Sequence, residues 1–221
     1  MRIFNITQNG READIYIYGD ITGYPYKANK SAATIVEEIQ ALDADVINVH
    51  INSYGGSVKE GWGMYNALRK HKAKIRTYAD GFVCSAALYP FLAGDERFAS
   101  PVSAFYMHQV AVGAHGYAED LRAAADDADL MTDIGIQAFV DVAGMTKEKT
   151  LELMKQETWL RPQTALELGI CTAITKSSED QSYTQSVRQQ IIQKLTGVLE
   201  QREEPREPEK TNLFARMFAT K

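Results

Sequence analysis

Two residues able to carry out acyl transfer lie at the ends of predicted strands. Ser85 follows a short apolar stretch and is followed by the small residues Ala86 and Ala87. Small neighbours allow a tight turn into a helix, which exposes a hydroxyl beside free backbone N–H groups. His108 ends a predicted strand at residues 104–108, where active sites of α/β proteins gather. These residues are a candidate nucleophile and its general base, although a serine packed tightly between helix and strand is the alternative.

A pair of glycines, Gly55 and Gly56, provides a second candidate element. The pair follows a predicted β-branched strand at residues 46–51, and a helix is predicted to begin near Ser57. Glycine permits positive φ and a close approach of the backbone to a ligand. No Gly-Lys-Ser/Thr follows, so a nucleotide-binding P-loop is excluded. A plain turn remains the alternative to an anion-binding loop.

The remaining nucleophilic and basic side chains are assigned structural roles. His50 lies inside a predicted strand, His71 at a lysine-rich helix end and His115 in a glycine-containing loop. Cys84 is an alternative nucleophile beside Ser85, but a cysteine at such a position more often packs in the core. Cys84 and Cys171 form no metal-binding pattern. No metal or cofactor is therefore expected.

Composition restricts the class of protein. The 221 residues are 45% hydrophobic and carry a formal net charge of -5, which gives no electrostatic reason to expect nucleic-acid binding. The beginning of the sequence lacks the apolar stretch of a signal peptide, and no run reaches the length of a membrane span. We expect a soluble cytoplasmic protein.

Strand and helix patterns alternate from residue 12 to 175, which predicts an α/β fold built from βαβ units. Strands are predicted at residues 15–18, 46–51, 74–79, 104–108 and 171–174. Asp80 and Gly81 are expected to break the third of them. Helices are predicted from Ser31 as N-cap, at 57–71, at 117–142 (the longest), after Thr146 as N-cap, and at 162–168.

The composition changes after Lys176. Residues 177–182 read as a polar linker, residues 187–199 as one amphipathic helix and residues 203–210 as a charged, proline-containing disordered segment. The sequence therefore predicts a catalytic domain at 1–176 and a C-terminal extension, partly helical and partly disordered, at 177–221.

Several motifs occur in an order that resembles the Clp protease proteolytic subunit, ClpP. They are Ile51-Asn52-Ser53-Tyr54-Gly55-Gly56-Ser57-Val58, Gly81-Phe82-Val83-Cys84-Ser85-Ala86-Ala87, Met107-His108-Gln109, Glu157-Thr158-Trp159-Leu160 and Ala165-Leu166-Glu167-Leu168-Gly169. The resemblance covers about residues 12–175. It implies a spiral of βαβ units, shared with crotonases, and a protruding handle helix at 117–142.

The resemblance also implies roles for individual residues. Ser85 would attack a peptide carbonyl, His108 would take its proton, and the N–H groups of Gly56 and Ala86 would form an oxyanion hole. Residues 110–117 would lie along an extended substrate. The handle helix would interlock two heptameric rings around a closed chamber, giving a heptameric or tetradecameric homo-oligomer.

The sequence departs from the family pattern at three places. Glu157 occupies the position where the family usually has the aspartate that orients the histidine. Asp141 and Glu152 are weaker alternatives because both read as helix-surface residues. Tyr54 replaces a proline before the glycine pair. The segment before the first predicted strand is short for an axial gate, so docking to a Clp-type ATPase is doubtful.

These departures are more like the ClpP-related proteases of phages and prophages, which process capsid or scaffold proteins in the assembling head. We therefore expect a serine endopeptidase of prohead maturation, located in the cytoplasm or inside the prohead, whose extension could be self-cleaved. The alternatives are a cellular ClpP paralogue that degrades unfolded proteins with a Clp ATPase, a non-catalytic ring subunit and a crotonase-like acyl-CoA enzyme.

Overall fold

The structure is a computed structural model, which describes residues 3–22 and 32–175. The strands are β1 (Ile3–Asn9), β2 (Glu12–Tyr18), β3 (Val46–Ser53), β4 (Lys74–Cys84), β5 (Glu96–Ala99), β6 (Ala104–Met107), β7 (Thr158–Leu160) and β8 (Ala173–Ile174). The helices are α1 (Ala32–Ala41), α2 (Val58–Lys70), α3 (Leu88–Leu92), α4 (Ala118–Ala143), α5 (Lys147–Lys155) and α6 (Pro162–Glu167). The predicted N-cap Ser31 and the predicted extension at 177–221 lie outside the described residues.

The strands form one sheet in the order β1-β2-β3-β4-β5-β8, and β6 pairs with β4 and β7. The pairs from β2 to β8 along this order are parallel, while β1–β2 and β6–β7 are antiparallel. Parallel neighbours require crossover connections, which α1 and α2 provide. The predicted α/β architecture of βαβ units is confirmed.

The core lies between one face of the sheet and the helices. Period-two alternation turns every second residue of β2, β3 and β4 toward this core. The registers align these residues across the sheet, as in the buried row Ile15, Val49 and Thr77. Met64 and Leu68 of α2 are fully buried against this face. The buried rows fix the register, so the strand ends fall at defined places.

The predicted break of β4 at Asp80 and Gly81 is wrong, because the strand continues to Cys84. The pairing of β3 with β4 shifts register between Ile51 and Ser53 instead. Asn52 reaches across this shift, and its Oδ1 accepts a 3.0 Å hydrogen bond from the Phe82 N–H. A Cβ on Gly81 would lie 2.6 Å from that oxygen, so glycine admits the amide rather than ending the strand.

Three strands, β1, β5 and β7, were not predicted. They contain seven, four and three residues, and the two shorter ones offer too few positions for a periodic signal. β1 is held by antiparallel pairing with β2 along its whole length. These strands depend on partners distant in the sequence or on a hairpin, which local patterns do not report.

Helix α4 confirms the prediction of a long protruding helix. Its 26 residues correspond to about 39 Å at 1.5 Å per residue. Its N-terminal half is largely exposed, whereas Thr132, Ile136 and Phe139 in its second half are buried against the body. Among residues 3–22 and 32–175, no helix combines the length and apolarity that a membrane crossing requires.

Candidate active site

Ser85 lies where β4 ends and a 3-10 turn (Ser85–Ala87) leads into α3. Its φ is +54°, a left-handed conformation that is uncommon outside glycine. Such strain persists only where the surrounding structure holds it, and it is concentrated at functional sites. The turn lifts the side chain off the end of β4, as the small neighbours Ala86 and Ala87 predict.

His108 follows the last residue of β6, and β6 pairs with β4 through Cys84 and Tyr106. This pairing brings the two strand ends together. The Ser85 Oγ lies 2.7 Å from the His108 Nε2. With the imidazole proton on Nδ1, the serine hydroxyl donates to Nε2. Both side chains are partly buried, so each reaches solvent and any bound ligand.

The glycine pair passes directly beside this serine. Gly55 and Gly56 have φ of +94° and +141°, respectively. A Cβ on Gly55 would lie 2.8 Å from the Ser85 Cβ and 2.9 Å from the Ala86 nitrogen, so the two backbones touch. Gly56 is joined to Ile21 by a parallel bridge, whose hydrogen bonds do not use the Gly56 N–H. Gly56 and Ala86, whose N–H groups are the predicted oxyanion donors, line the same cavity as Ser85.

Glu157 is placed near the pair without bonding to the histidine. Its φ is +49°, which makes it, with Ser85, one of two non-glycine residues with positive φ in the described part of the chain. Its Oε2 accepts a 3.3 Å hydrogen bond from the Tyr106 hydroxyl. No hydrogen bond joins Glu157 to His108 among the described residues. Tyr106 contacts both residues, because its ring centroid also lies 5.5 Å from that of His108.

The alternative carboxylates are bound elsewhere. Asp141 accepts a 2.7 Å hydrogen bond from Gln137 one turn earlier on α4. Glu152 accepts a 3.0 Å bond from Lys149 on α5. Both contacts are of the helix-surface kind that the sequence pattern indicates.

The other three histidines lie outside the candidate site. His50 is stacked between Tyr16 and Tyr78 on the outer face of the sheet, with its Nδ1 3.0 Å from Asp80. The His71 Nδ1 accepts a 3.0 Å bond from the Ala73 N–H just after α2. His115 is exposed in the segment before α4.

Cys84 is poorly suited to act as a nucleophile. It is buried, and burial raises the pKa of its thiol to about 11. The thiolate is the reactive form, so a pKa this high leaves almost none of it at neutral pH. This argues for packing rather than chemistry at that position.

A cavity of about 140 Å³ opens beside the pair, and both Ser85 and His108 line it. Its walls are mainly apolar, with Leu88 and Tyr89 from α3 and Phe139 from α4 among them. Sequence reasoning missed these walls because α3, α4 and α5 meet only in the tertiary structure. The segment after His108 is anchored here by a 3.0 Å bond from the Val110 N–H to the Thr132 hydroxyl.

Tyr106 was also missed as a site residue. The available signal was its place two residues before His108 in a predicted strand, which puts both on one face. Partial burial and the Glu157 carboxylate raise the pKa of Tyr106, so its hydroxyl stays protonated and donates to the carboxylate.

This geometry can support acyl transfer. The imidazole can take the hydroxyl proton as the oxygen attacks a carbonyl, and N–H groups nearby can stabilise the resulting negative charge. An apolar cavity next to the hydroxyl can hold one side chain of the acyl group.

Comparison with solved structures supports the class of fold. A mutant of ClpP1 from Listeria monocytogenes superposes with a TM-score of 0.63 at 22% sequence identity, covering 75% of this chain and 92% of that one. The architecture is thus the ClpP-like α/β spiral with its handle helix. At this identity the likeness defines the fold alone.

Comparison of sequences defines the family. The sequence profile of the Clp protease family matches residues 5–178. The ATP-dependent Clp protease proteolytic subunit of Paracoccus denitrificans is 28% identical over 173 residues, which cover 76% of this chain and 84% of that protein. The subunit of the same name from Dehalococcoides mccartyi is 31% identical over 136 residues, 61% of this chain and 68% of that protein. The chain belongs to the Clp protease family, a family of serine-type peptidases.

Proposed function

We propose that this protein is a serine endopeptidase in which Ser85 is the nucleophile and His108 the general base. The observation that carries the proposal is the 2.7 Å contact between the Ser85 Oγ and the His108 Nε2. Membership of a family of serine-type peptidases supports it independently. A non-catalytic ring subunit would have no need to hold Ser85 at a φ of +54° beside a histidine.

The proposed reaction has two stages, acylation of Ser85 and hydrolysis of the acyl ester. The Ser85 oxygen attacks the peptide carbonyl carbon while its proton passes to the His108 Nε2. The N–H groups of Gly56 and Ala86 stabilise the oxyanion. His108 then protonates the leaving amine, the C–N bond breaks, and an acyl ester remains on Ser85. Water, deprotonated by His108, attacks the ester and regenerates the serine.

Glu157 is proposed to be the third member of the triad, acting through the orientation of the imidazole. Its carboxylate accepts a hydrogen bond from Tyr106, whose ring in turn contacts that of His108. A rotation of the glutamate side chain toward the imidazole Nδ1 would complete the triad. We expect this rotation to occur when the rings assemble or when substrate binds, because catalytic hydrogen bonds often shorten in the enzyme–substrate complex.

The central experiment compares wild type with Ser85→Ala. We expect peptide cleavage to fall by about 10⁴-fold or more, and labelling of Ser85 by a fluorophosphonate to disappear. Cys84→Ala is the matched control, since it removes the neighbouring alternative nucleophile and should retain cleavage. Cleavage that survives in Ser85→Ala would exclude this mechanism. Tight binding of an acyl-CoA without labelling would favour the crotonase-like alternative.

The more specific role that we propose is maturation of a phage or prophage head by cleavage of capsid or scaffold proteins. Glu157, followed by Thr158 and Trp159, supports this role, as does the charged segment at 203–210 beyond the part that the family profile matches. Within this proposal the protein acts in the bacterial or host cytoplasm, or inside the assembling head.

A cellular ClpP paralogue is the second candidate. The observation favouring it is that the relatives compared above are named as ATP-dependent Clp protease proteolytic subunits. Incubation with capsid and scaffold proteins encoded beside the gene, and separately with an unfolded protein plus a Clp ATPase and ATP, distinguishes the two. Cleavage of the capsid proteins at defined sites without ATP supports the head protease. Degradation that requires the ATPase supports the paralogue.

The assembly and domain organisation are part of the same proposal. Family membership supports a ring of identical subunits, heptameric or tetradecameric. A peptidase domain at 1–176 and an extension at 177–221 are supported by the end of the profile match at residue 178 and by the division of the chain between Lys176 and Ser177. Intact-mass measurement over time tests whether active protein removes its extension.

A further inference from the structure

A continuous row of aromatic side chains leads from the surface to His108. We define the aromatic strip as Tyr54, Phe82, Trp159 and Tyr106. Ring centroids are 4.8 Å apart for Tyr54 and Phe82, 6.0 Å for Phe82 and Trp159, and 4.6 Å for Trp159 and Tyr106. The Tyr106 ring in turn lies 5.5 Å from the His108 ring.

The strip is built by the same strands that position the nucleophile and base. Tyr106 of β6 pairs with Cys84 of β4 on one side and with Trp159 of β7 on the other. Phe82 lies two residues before Cys84 on β4, so its side chain is on the same face of the sheet as those of Cys84, Tyr106 and Trp159. Tyr54 directly follows β3 and precedes the glycine pair. The strip is therefore fixed relative to Ser85 and His108 by backbone pairing.

The strip is open to solvent. Tyr54 is 64% exposed, Trp159 54% and Phe82 37%. Single exposed apolar residues are normal, but three large rings in contact form a patch of the kind that marks a binding surface. Aromatic side chains also bind with little loss of conformational freedom, because they have only two rotatable bonds.

The strip and the apolar cavity are separate surfaces. None of the four strip residues lines the cavity beside Ser85, whereas His108 lines that cavity and contacts Tyr106. A peptide bound across the site has two portions, one on each side of the bond that is cut. The cavity can hold the side chain of the acyl portion, which leaves the strip for the portion that departs as the amine.

We propose that the aromatic strip binds the leaving-group portion of the substrate and selects aromatic or large apolar residues just after the scissile bond. This inference rests on the proposed peptidase function and adds a determinant of its specificity. Offset or edge-to-face packing on Trp159 and Phe82 would favour such side chains. The negative charge of Glu157, next to Tyr106 at the end of the strip, would disfavour acidic residues at the same positions.

The leaving-group side can be tested apart from the acyl side by acyl transfer. A peptide methyl ester acylates Ser85 and releases only methanol. An added amine then competes with water: its nitrogen attacks the ester carbonyl carbon and gives a proton to the His108 Nε2. The C–O bond breaks, an amide forms, and His108 returns the proton to the Ser85 oxygen. The ratio of amide to acid product measures binding of the amine at the leaving-group side.

The full-length protein is assayed with three amines, phenylalanyl-glycinamide, glycyl-glycinamide and glutamyl-glycinamide. We expect the phenylalanyl amine to capture the acyl-enzyme about tenfold more efficiently than the glycyl amine, and the glutamyl amine to be the poorest. In Trp159→Ala and in Tyr54→Ser, the ratio of capture by the phenylalanyl amine to capture by the glycyl amine should fall close to one. Tyr54→Ser is the safer variant, because Tyr54 is mostly exposed and stacks on Phe82 alone among the described rings. Val102→Ser, at another exposed apolar residue, should keep the wild-type ratio.

Several outcomes would overturn the inference. Equal capture of the phenylalanyl and glycyl amines by wild type would do so, as would an unchanged preference in both strip variants. Variants that dissociate the oligomer while retaining the preference would show that the strip is covered by a second copy of the chain.

Failure of the proposed function gives a different result. In that case the methyl ester is not hydrolysed, or its hydrolysis survives in Ser85→Ala. Binding then still tests the strip, through the tryptophan fluorescence of Ser85→Ala during titration with phenylalanyl-glycinamide and glycyl-glycinamide. Ser85→Ala/Trp159→Phe gives the contribution of the second tryptophan, Trp62. A fluorescence change that is stronger for the phenylalanyl compound supports the strip, and no difference between the two overturns it.

Discussion

At the scale of single residues, two positions with a strained backbone mark the candidate site. Ser85 follows β4 with a φ of +54°, and Glu157 precedes β7 with a φ of +49°. Both strands pair with β6, the strand that His108 follows. Strain of this kind costs on the order of 1–3 kcal/mol and is retained where the surrounding structure imposes it. Their coincidence at one site is the residue-level reason to test Glu157 together with Ser85.

Replacement of Glu157 by glutamine tests its proposed role in orienting the imidazole. We expect Glu157→Gln to lower kcat by about 100-fold or more with little change in KM, because a neutral amide neither holds the Nδ1 proton firmly nor stabilises the imidazolium. The measurement is kcat and KM for a peptide substrate across pH.

Glu152→Gln is the matched control, since Glu152 contacts Lys149 on the surface of α5. It should retain wild-type kinetics. If kcat were unchanged in Glu157→Gln, the imidazole would have to be oriented by another group, and Glu157 would be no more than the partner of Tyr106.

At the scale of elements, the site depends on how closely a loop and a turn approach each other. The loop after β3 is held to Ile21 by hydrogen bonds of 2.8 and 2.9 Å, and the same loop touches the turn after β4. Two crossover connections are needed to bring these segments together. The glycine pair permits the contact, because any side chain there would collide with backbone atoms.

Gly56→Ala should disrupt this approach. Its Cβ would lie 2.2 Å from the Ile21 carbonyl oxygen at a φ of +141°. We expect activity to fall by about 100-fold or more, because the displaced loop moves the Gly56 N–H, a proposed oxyanion donor. We also expect the free energy of unfolding to fall by about 2 kcal/mol or more. Peptide cleavage and urea denaturation measure the two effects.

Gly144→Ala separates backbone strain from collision. Gly144 also has a positive φ, +68°, but a Cβ at this position would meet no atom within 4 Å beyond its chain neighbours. The substitution should cost about 1 kcal/mol of stability and leave activity intact. If Gly56→Ala and Gly144→Ala lost activity and stability to the same extent, the close approach of the loop to Ile21 would not explain the effect at Gly56.

At the scale of the whole molecule, a buried arginine joins distant segments. Arg97 of β5 is 7% exposed and donates to the carbonyls of Gly94, Gly169 and Ile170 at 2.8–3.0 Å. It forms no ion pair among the described residues, and burial lowers its pKa. The guanidinium thus links β5 to the turn after α6, which leads into β8.

Arg97→Met should lower the free energy of unfolding by about 3 kcal/mol, because it leaves several buried carbonyls without a donor. Arg69→Met is the control, since within residues 3–22 and 32–175 the ion pairing of Arg69 is limited to an exposed 3.3 Å contact with Asp95. This substitution should cost less than about 1 kcal/mol. Urea denaturation of both variants gives the comparison. A similar loss in both would mean that the buried network contributes little.

Helix α4 has exposed apolar residues that the proposed assembly of two rings would cover. Leu121, Leu130 and Ile134 are exposed on it in the single chain, and the proposed ring-to-ring contact would bury them. Leu130→Glu should convert a fourteen-subunit particle into seven-subunit rings or smaller species, measured by sedimentation. Val102→Glu places a charge at an exposed residue away from α4 and should leave the mass unchanged. An unaffected particle in Leu130→Glu would contradict the proposed interface.

The sequence by itself determined the α/β class, the long helix α4 and the candidates Ser85, His108 and Gly56. These follow from local information: alternation in the strands, caps and glycines at their ends, and the order of motifs. It missed the continuation of β4 past Gly81, where a side chain from β3 fills the space that looked like a break. Glu157 was found by its motif, but its bond to Tyr106 was not.

What only the tertiary structure decided is how strands distant in the chain bring side chains together. The pairing of β6 with β4 and β7 sets the 2.7 Å contact of Ser85 with His108 and aligns the aromatic strip beside it. The register of these pairs depends on the buried rows of the whole sheet, which no local pattern contains. Helices α2, α3, α4 and α5 each contribute to the cavity walls, and they too meet only in the folded chain. The residue types indicated the chemistry, whereas the distances between these residues, the aromatic strip and the cavity depend on the fold.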